Sequence, residues 1–170
     1  MSKQKDKRRK AQLASKALNE SFKFQVMYAL KQKATDETYD AEIIDRELDV
    51  ICKKGLGQDM LKIKEMLEGV RTEMGAEHIA ERCSLRGSVV AYLLGITNQN
   101  PIENKWIDGC LSDAEQIRLP MQIDFFYDNE VRNQVVDLLK DRGENMTSRL
   151  GQPAVRLKNC AVVFRRVVQS

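Results

Sequence analysis

The sequence predicts an α+β domain in which N-terminal helices lead into a small mixed sheet. Three observations carry that expectation. Apolar residues recur at three- and four-residue spacing through residues 11–74, a helical period. Strict alternation first appears at Ile123, Phe125 and Tyr127, the period of a half-buried strand. Helical stretches also come first and strand-like ones later, the order of an α+β chain. With 170 residues, 42% of them hydrophobic and 31% charged, the chain is sized for one domain, or one with a small appendage, and is not disordered by composition.

The first helix is expected over residues 11–33, where Leu13, Ala17, Leu18, Phe22, Val26, Met27 and Leu30 form an apolar stripe. A polar loop, TDETYD, follows. The second helix runs from Ala41 to about Lys54, with Ile43, Ile44, Leu48 and Ile51 on one side and Gly55 as its C-cap. The third runs from about Gln58 to Met74 and stops before Gly75. All three stripes are assigned to core and to no chemistry.

After Gly75 the texture changes. HIAERC reads as a short strand, Gly87-Ser88 precedes the compact apolar run VVAYLLGI, and Asp113 opens a short helix within the otherwise aperiodic stretch 102–119. Pro120 marks the start of the alternating strand, and Glu130–Lys140 has a helical face of Val131, Val135, Leu138 and Leu139. The expected organisation is a basic, flexible tail over residues 1–16, a helical segment over 17–77 and an α+β region over 78–168.

Charge is distributed unevenly. The formal net charge is +3, but residues 1–16 carry +6, residues 142–170 carry +5, and the body between them is −8. Basic ends attract phosphates by releasing condensed counterions, so Lys7, Arg8, Arg9 and Lys10 are candidate nucleic-acid contacts. The C-terminal cations Arg156, Lys158, Arg165 and Arg166 are interleaved with apolar residues in AVRLKNCAVVFRRVV. That interleaving lets a folded element bury Val155, Leu157, Val162, Val163 and Phe164 while holding arginines outward, which makes these four residues nucleic-acid candidates as well.

Other function classes are disfavoured. Cys52, Cys83, Cys110 and Cys160 are 31, 27 and 50 positions apart with no C-x-x-C pair, so reduced thiols in a cytoplasmic protein are expected and a structural zinc site is not. The single histidine, His78, stands in no recognisable catalytic arrangement and is read as a surface or packing residue. The longest apolar run, Val89–Ile96, is too short to span a bilayer, and residues 1–16 lack the apolar core of a secretory signal. No membrane partner is expected.

Four segments then resemble one family, in order and at matching spacing. IIDRELDVICKKGLGQDML, from Ile43, is similar to the helix that leads into the palm domain of bacterial C-family replicative DNA polymerases, the DNA polymerase III alpha subunit. RCSLRGSVVAYLLGITNQNPI (Arg82–Ile102) resembles that family's palm signature RGSAAGSLVAYLLGITxxxPL without a gap. PMQIDFF (Pro120–Phe126) resembles the catalytic segment PDxDxDF, and LGQPAVR (Leu150–Arg156) the downstream FGTMAAK. The resemblance extends over residues 19–168.

It implies a nucleotidyltransferase-like palm and two chemical requirements. One is a triphosphate cradle, a small-residue turn opening a helix with its N–H groups aimed at phosphate. The second Gly-Ser pair of the family stands here as Gly87-Ser88, while the first reads Cys83-Ser84. Arg82, Ser84, Gly87 and Ser88 are therefore the candidate phosphate-binding residues, with a side chain in place of one glycine. The other requirement is a pair of carboxylates holding two divalent ions. Alternating aspartates share one face of a strand, but here Gln122 replaces the partner of Asp124, and an amide lacks the charge that holds Mg²⁺. Asp124 is the single candidate catalytic and metal-ligating residue.

The family's third palm carboxylate, fingers and clamp-binding region fall beyond the matched segment. The resemblance thus implies a catalytically silent relative of the palm that binds DNA or a replication protein without a cofactor. A phage or mobile element is an origin compatible with such a piece, and the sequence itself does not show the origin. Two alternatives remain open. The chain is one fragment of a split nucleotidyltransferase, using Mg²⁺ once another subunit completes the site, or it is a small adaptor unrelated to replication.

Overall fold

The structure is a computed structural model, and it describes residues 2–33, 39–75, 79–107 and 109–167. His78 lies outside them. Helix α1 (Ser2–Lys33) is followed by α2 (Ala41–Lys53), α3 (Gly57–Met74), strand β1 (Arg82–Cys83), α4 (Val89–Leu93), β2 (Met121–Tyr127), α5 (Asn129–Asp141), β3 (Met146–Arg149), β4 (Gln152–Arg156) and β5 (Cys160–Arg166). The α+β expectation holds, with the helices first and a five-stranded mixed sheet of order β1-β2-β5-β4-β3 after them.

The first helix begins at Ser2 instead of residue 11, so the basic stretch expected to be a flexible tail is helical over its described part. Among the described residues nothing packs on that stretch to explain this. Residues 2–18 are exposed throughout, and the buried side chains of α1 are Phe22 and Val26. Straight-chain Lys, Arg, Gln and Ala dominate the exposed portion, and these lose little rotamer freedom in a helix.

Local signals set the remaining boundaries. Asp40 caps α2 by accepting from the Glu42 N–H at 2.9 Å, and Asp128 caps α5 by accepting from Glu130 at 3.1 Å. Gly55 ends the α2 turn at φ +65°, a left-handed conformation that side chains resist. Gly57 lies against Phe22, where an added Cβ would sit 3.1 Å from the ring, so the missing side chain lets α1 approach α3 closely.

One hydrophobic cluster runs from Phe22 to Phe164. Its sheet side is the row Ile123, Phe125 and Tyr127 of β2, joined by Val162 and Phe164 of β5. The rings of Phe125, Tyr127 and Phe164 are 6.3–6.5 Å apart. Helix α5 packs on this face of the sheet and α3 packs on α5. The buried Asp59 of α3 accepts from the Asn159 N–H at 2.6 Å, which ties the β4–β5 turn to the helices.

β2 and β5 run parallel, with Asp124 opposite Val163 and Phe126 opposite Arg165, while the other pairings are antiparallel. The connection from β2 to β5 is α5 followed by the β3–β4 hairpin. Since one strand face carries the helices, the alternate residues face outward: Arg82 on β1, Gln122, Asp124 and Phe126 on β2, Arg165 on β5, Arg156 on β4 and Arg149 on β3. Among the described residues no helix is long and apolar enough to cross a membrane.

Candidate nucleic-acid interface

Two of the sequence-predicted sites come to adjacent places, and each differs from its expectation in an instructive way. The Gly87-Ser88 turn does open a helix, since Ser88 caps α4 with its hydroxyl accepting from Ala91 N–H at 3.0 Å. The anion at that helix start is already supplied by the chain. Glu47 of α2, only 5% exposed, accepts from the Ser88 hydroxyl, from Val89 N–H at 3.0 Å and from Val90 N–H at 3.3 Å. A carboxylate is the stabilising charge for a helix N-terminus.

The first-turn donors of α4 are therefore spent on Glu47 and Ser88, and Gly87 and Ser88 are both buried. The preceding loop is occupied too. Ser84 N–H donates to the Asp124 carbonyl at 2.9 Å, Ser84 Oγ accepts from Asp124 N–H at 3.0 Å, and Leu85 N–H donates to Cys83 Sγ at 3.4 Å. Of the four phosphate candidates only Arg82 keeps its polar head turned outward and unspent on the loop.

Cys83 occupies a glycine position of the resembled signature and is buried beneath this loop. Burial in apolar surroundings pushes its thiol up to about 12, with the nearby Asp124 charge adding to the effect against the lowering influence of the Leu85 N–H. It is an inert packing group and not a nucleophile.

Asp124 stands on the open face of β2, as expected, but its carboxylate has two partners from its own chain. Gln122 Nε2 donates to Oδ1 and Oδ2 at 3.0 and 3.3 Å. Arg165 Nε lies 3.1 Å from Oδ1 as an ion pair, without the alignment of a hydrogen bond. Gln122 in turn accepts from Arg149 Nε at 2.9 Å. The four side chains form one network of a carboxylate, an amide and two guanidiniums.

This donor set does not fit a divalent ion. Two divalent ions need carboxylates to balance their charge, and here the single carboxylate of Asp124 faces a fixed cation, Arg165. Among the described residues no three His, Cys, Asp or Glu side chains gather as a metal site. The arrangement fits an anion instead, because Arg82, Arg149, Arg156 and Arg165 outnumber Asp124 on the same sheet face.

The face is hollow rather than flat. In the strand order β3 stands three places from β2, about 14 Å on a flat sheet, yet Arg149 reaches Gln122. The β3–β4 hairpin must curl over the sheet. Beneath it is a hollow of about 240 Å³ lined by Thr147, Arg149, Ala154, Arg156 and Ala161. Ala154, Ala161 and Val163 form a buried floor of small side chains under the arginine heads.

Sequence reasoning grouped the basic candidates by position, and the fold separates them. Arg156 and Arg165 share the open face, whereas Arg166 turns to the helix side, 3.5 Å from Asn133 of α5. Lys158 is exposed in the β4–β5 turn, and Lys7, Arg8, Arg9 and Lys10 are exposed on α1. Arg82, expected to hold phosphate at the cradle, and Arg149, which no motif marked, join the open face. Alternation along β3 and β4 is the signal that finds Arg149, two residues beyond Thr147 on the same side of the strand.

Buried Arg132 of α5 is a further charge that sequence reasoning missed. It bonds to the Phe164 carbonyl and to Gln152, each at 3.3 Å. Burial, then the Arg166 charge, lowers its pKa.

Comparison with known proteins points to the family that the sequence resembles. The family model for the bacterial DNA polymerase III alpha NTPase domain matches residues 11–153. DNA polymerase III subunit alpha of Mycobacterium tuberculosis (strain CDC 1551 / Oshkosh) is 32% identical over 96 residues, and that of Mycobacterium leprae (strain TN) is 31% identical over 96 residues. In both comparisons the aligned part is 56% of this chain but 8% of the relative's length.

Proposed function

The chain belongs to the bacterial DNA polymerase III alpha NTPase domain family, and from that premise we propose that it is a catalytically silent relative of the polymerase palm that binds DNA. The observation that carries this reading is the Asp124 network. A two-metal mechanism needs carboxylates free to hold cations at the primer end. Here Asp124 is engaged by Arg165 and Gln122, and the latter is held by Arg149. What the same face offers is guanidinium, which pairs with phosphate bidentately and without sequence preference.

Binding in this reading is electrostatic and independent of divalent ions. DNA phosphates lie along Arg149, Arg156 and Arg165 and release counterions as they do so. The phosphate cradle contributes nothing through α4, because Glu47 fills that role from within.

The test combines binding and activity on the purified chain. We expect no primer extension with Mg²⁺ or Mn²⁺, together with DNA binding that weakens steeply with salt. Replacing Arg156 and Arg165 by alanine lowers the salt slope by roughly two. Asp124→Asn removes a negative charge from the face and raises affinity about threefold at moderate salt. Extension that Asp124→Asn abolishes, alone or after addition of a further polymerase subunit, overturns the silent reading in favour of a split enzyme.

A further inference from the structure

The open face contains one aromatic ring in addition to its cations. Phe126 stands on the outward side of β2 and is half-buried, while its neighbours in the strand, Phe125 and Tyr127, are each 1% exposed on the core side. The Arg82 guanidinium carbon lies 4.4 Å from the Phe126 ring centroid, and that of Arg165 lies 5.9 Å from it. Both are within cation–π range.

Phosphate binding needs no such ring. A duplex keeps its bases stacked on one another and presents phosphates and groove edges, so it leaves Phe126 unused. A single strand presents base faces, and aromatic side chains and guanidinium planes in a basic groove are the layers on which unpaired bases stack. The curl of the β3–β4 hairpin adds a steric reason. Where Arg149 reaches Gln122 it bridges the open face. A flexible single backbone can pass along that bridged hollow, whereas a duplex, straight over about 150 base pairs, meets the hairpin as a step.

We propose that the open sheet face takes single-stranded DNA in preference to duplex, with a base stacked on the layer that Phe126 forms with the Arg82 and Arg165 guanidiniums over its ring. This rests on the DNA-binding reading above and adds the form of the DNA and the residue that selects it. No chemical step is involved, and no metal is required.

Fluorescence anisotropy of the full chain tests it, with a labelled strand alone and the same strand annealed to its complement at one salt concentration. The expected result is about tenfold tighter binding of the single strand. Phe126→Leu removes that preference and leaves duplex affinity unchanged, whereas Phe126→Tyr keeps it. Thermal melting of each variant, followed by circular dichroism, separates loss of the stack from loss of the fold. Equal or tighter binding of the duplex overturns the inference while leaving the DNA-binding reading standing. Binding of neither form overturns that reading itself. A preference for single strands that survives Phe126→Leu in a folded protein removes the assignment to this ring.

Discussion

Glu47 lies on the buried side of α2 at the helical spacing set by Ile44, Leu48 and Ile51, where an aliphatic residue would be the ordinary choice. Its carboxylate satisfies two backbone donors and a hydroxyl at the start of α4. Removing it strands those donors in the core, and each unsatisfied buried group costs about 1–3 kcal/mol. Glu47→Ala is therefore expected to lower unfolding free energy by about 3 kcal/mol, and Glu47→Gln by about 1 kcal/mol because an amide oxygen still accepts. Urea titration of the three proteins checks both values. The same residue explains why the cradle was misread in the sequence. Gly87-Ser88 has the composition of a phosphate-binding turn, but its acceptor sits 41 positions earlier, and only a charge at an apolar register hinted at it. Gln122 and Asp124 were legible as a broken carboxylate pair, whereas the Arg165 and Arg149 contacts that neutralise the site depend on strand order, which no local pattern encodes.

Among the elements, the helices were legible because their apolar period is long, and α2, α3 and α5 fall within a residue or two of expectation. β1 was legible in part: Arg82 and Cys83 lie within HIAERC, read as a short strand, but their pairing with Phe125 and Phe126 is a tertiary contact that no local pattern marks. The apolar run after Ser88 is short enough to suit strand or helix, and the Ser88–Glu47 cap decides for helix. Val163 was read correctly as buried, though its register places it on the outward face, opposite Ala154 of β4. Helix α1 differs most, because propensity alone extends it past its packed segment. Deleting residues 2–16 should then leave the unfolding free energy from urea titration nearly unchanged, within about 0.5 kcal/mol, since the first buried side chain is Phe22. A larger loss would mean that the basic half of α1 packs on the body in solution.

For the whole molecule, stability and pH are linked through groups sealed in the core. Burial raises the Cys83 thiol from its ordinary 9.0 to about 12 and raises Cys160 and Tyr127 in the same direction. A raised acid is protonated in the fold where the unfolded chain has already released its proton. Its stabilising contribution is complete below pH 9 and is lost as pH climbs towards 12. The unfolding free energy is thus expected to be flat to about pH 8.5 and to fall beyond it, by roughly 1.4 kcal/mol per pH unit for each titrating group. Cys83→Ala makes that decline shallower by one proton, which urea titrations between neutral pH and pH 11 would register. A decline that begins near neutral pH would point to groups other than these three.

The unpacked half of α1 also has a consequence for how the molecule moves. Seventeen exposed residues, Ser2 to Leu18, make a rod about 25 Å long on a body whose radius of gyration, for a compact chain of this length, is about 15 Å. The protein therefore tumbles as an elongated particle. Small-angle scattering should give a maximum dimension well beyond that of a sphere of equal mass, and amides along the rod should relax differently from those across it. Each of the cations Lys3, Lys5, Lys7, Arg8, Arg9 and Lys10 rides at the far end of that rod, so the centre of positive charge is displaced from the centre of mass. In an electric field, or near a polyanion, the molecule turns before it lands.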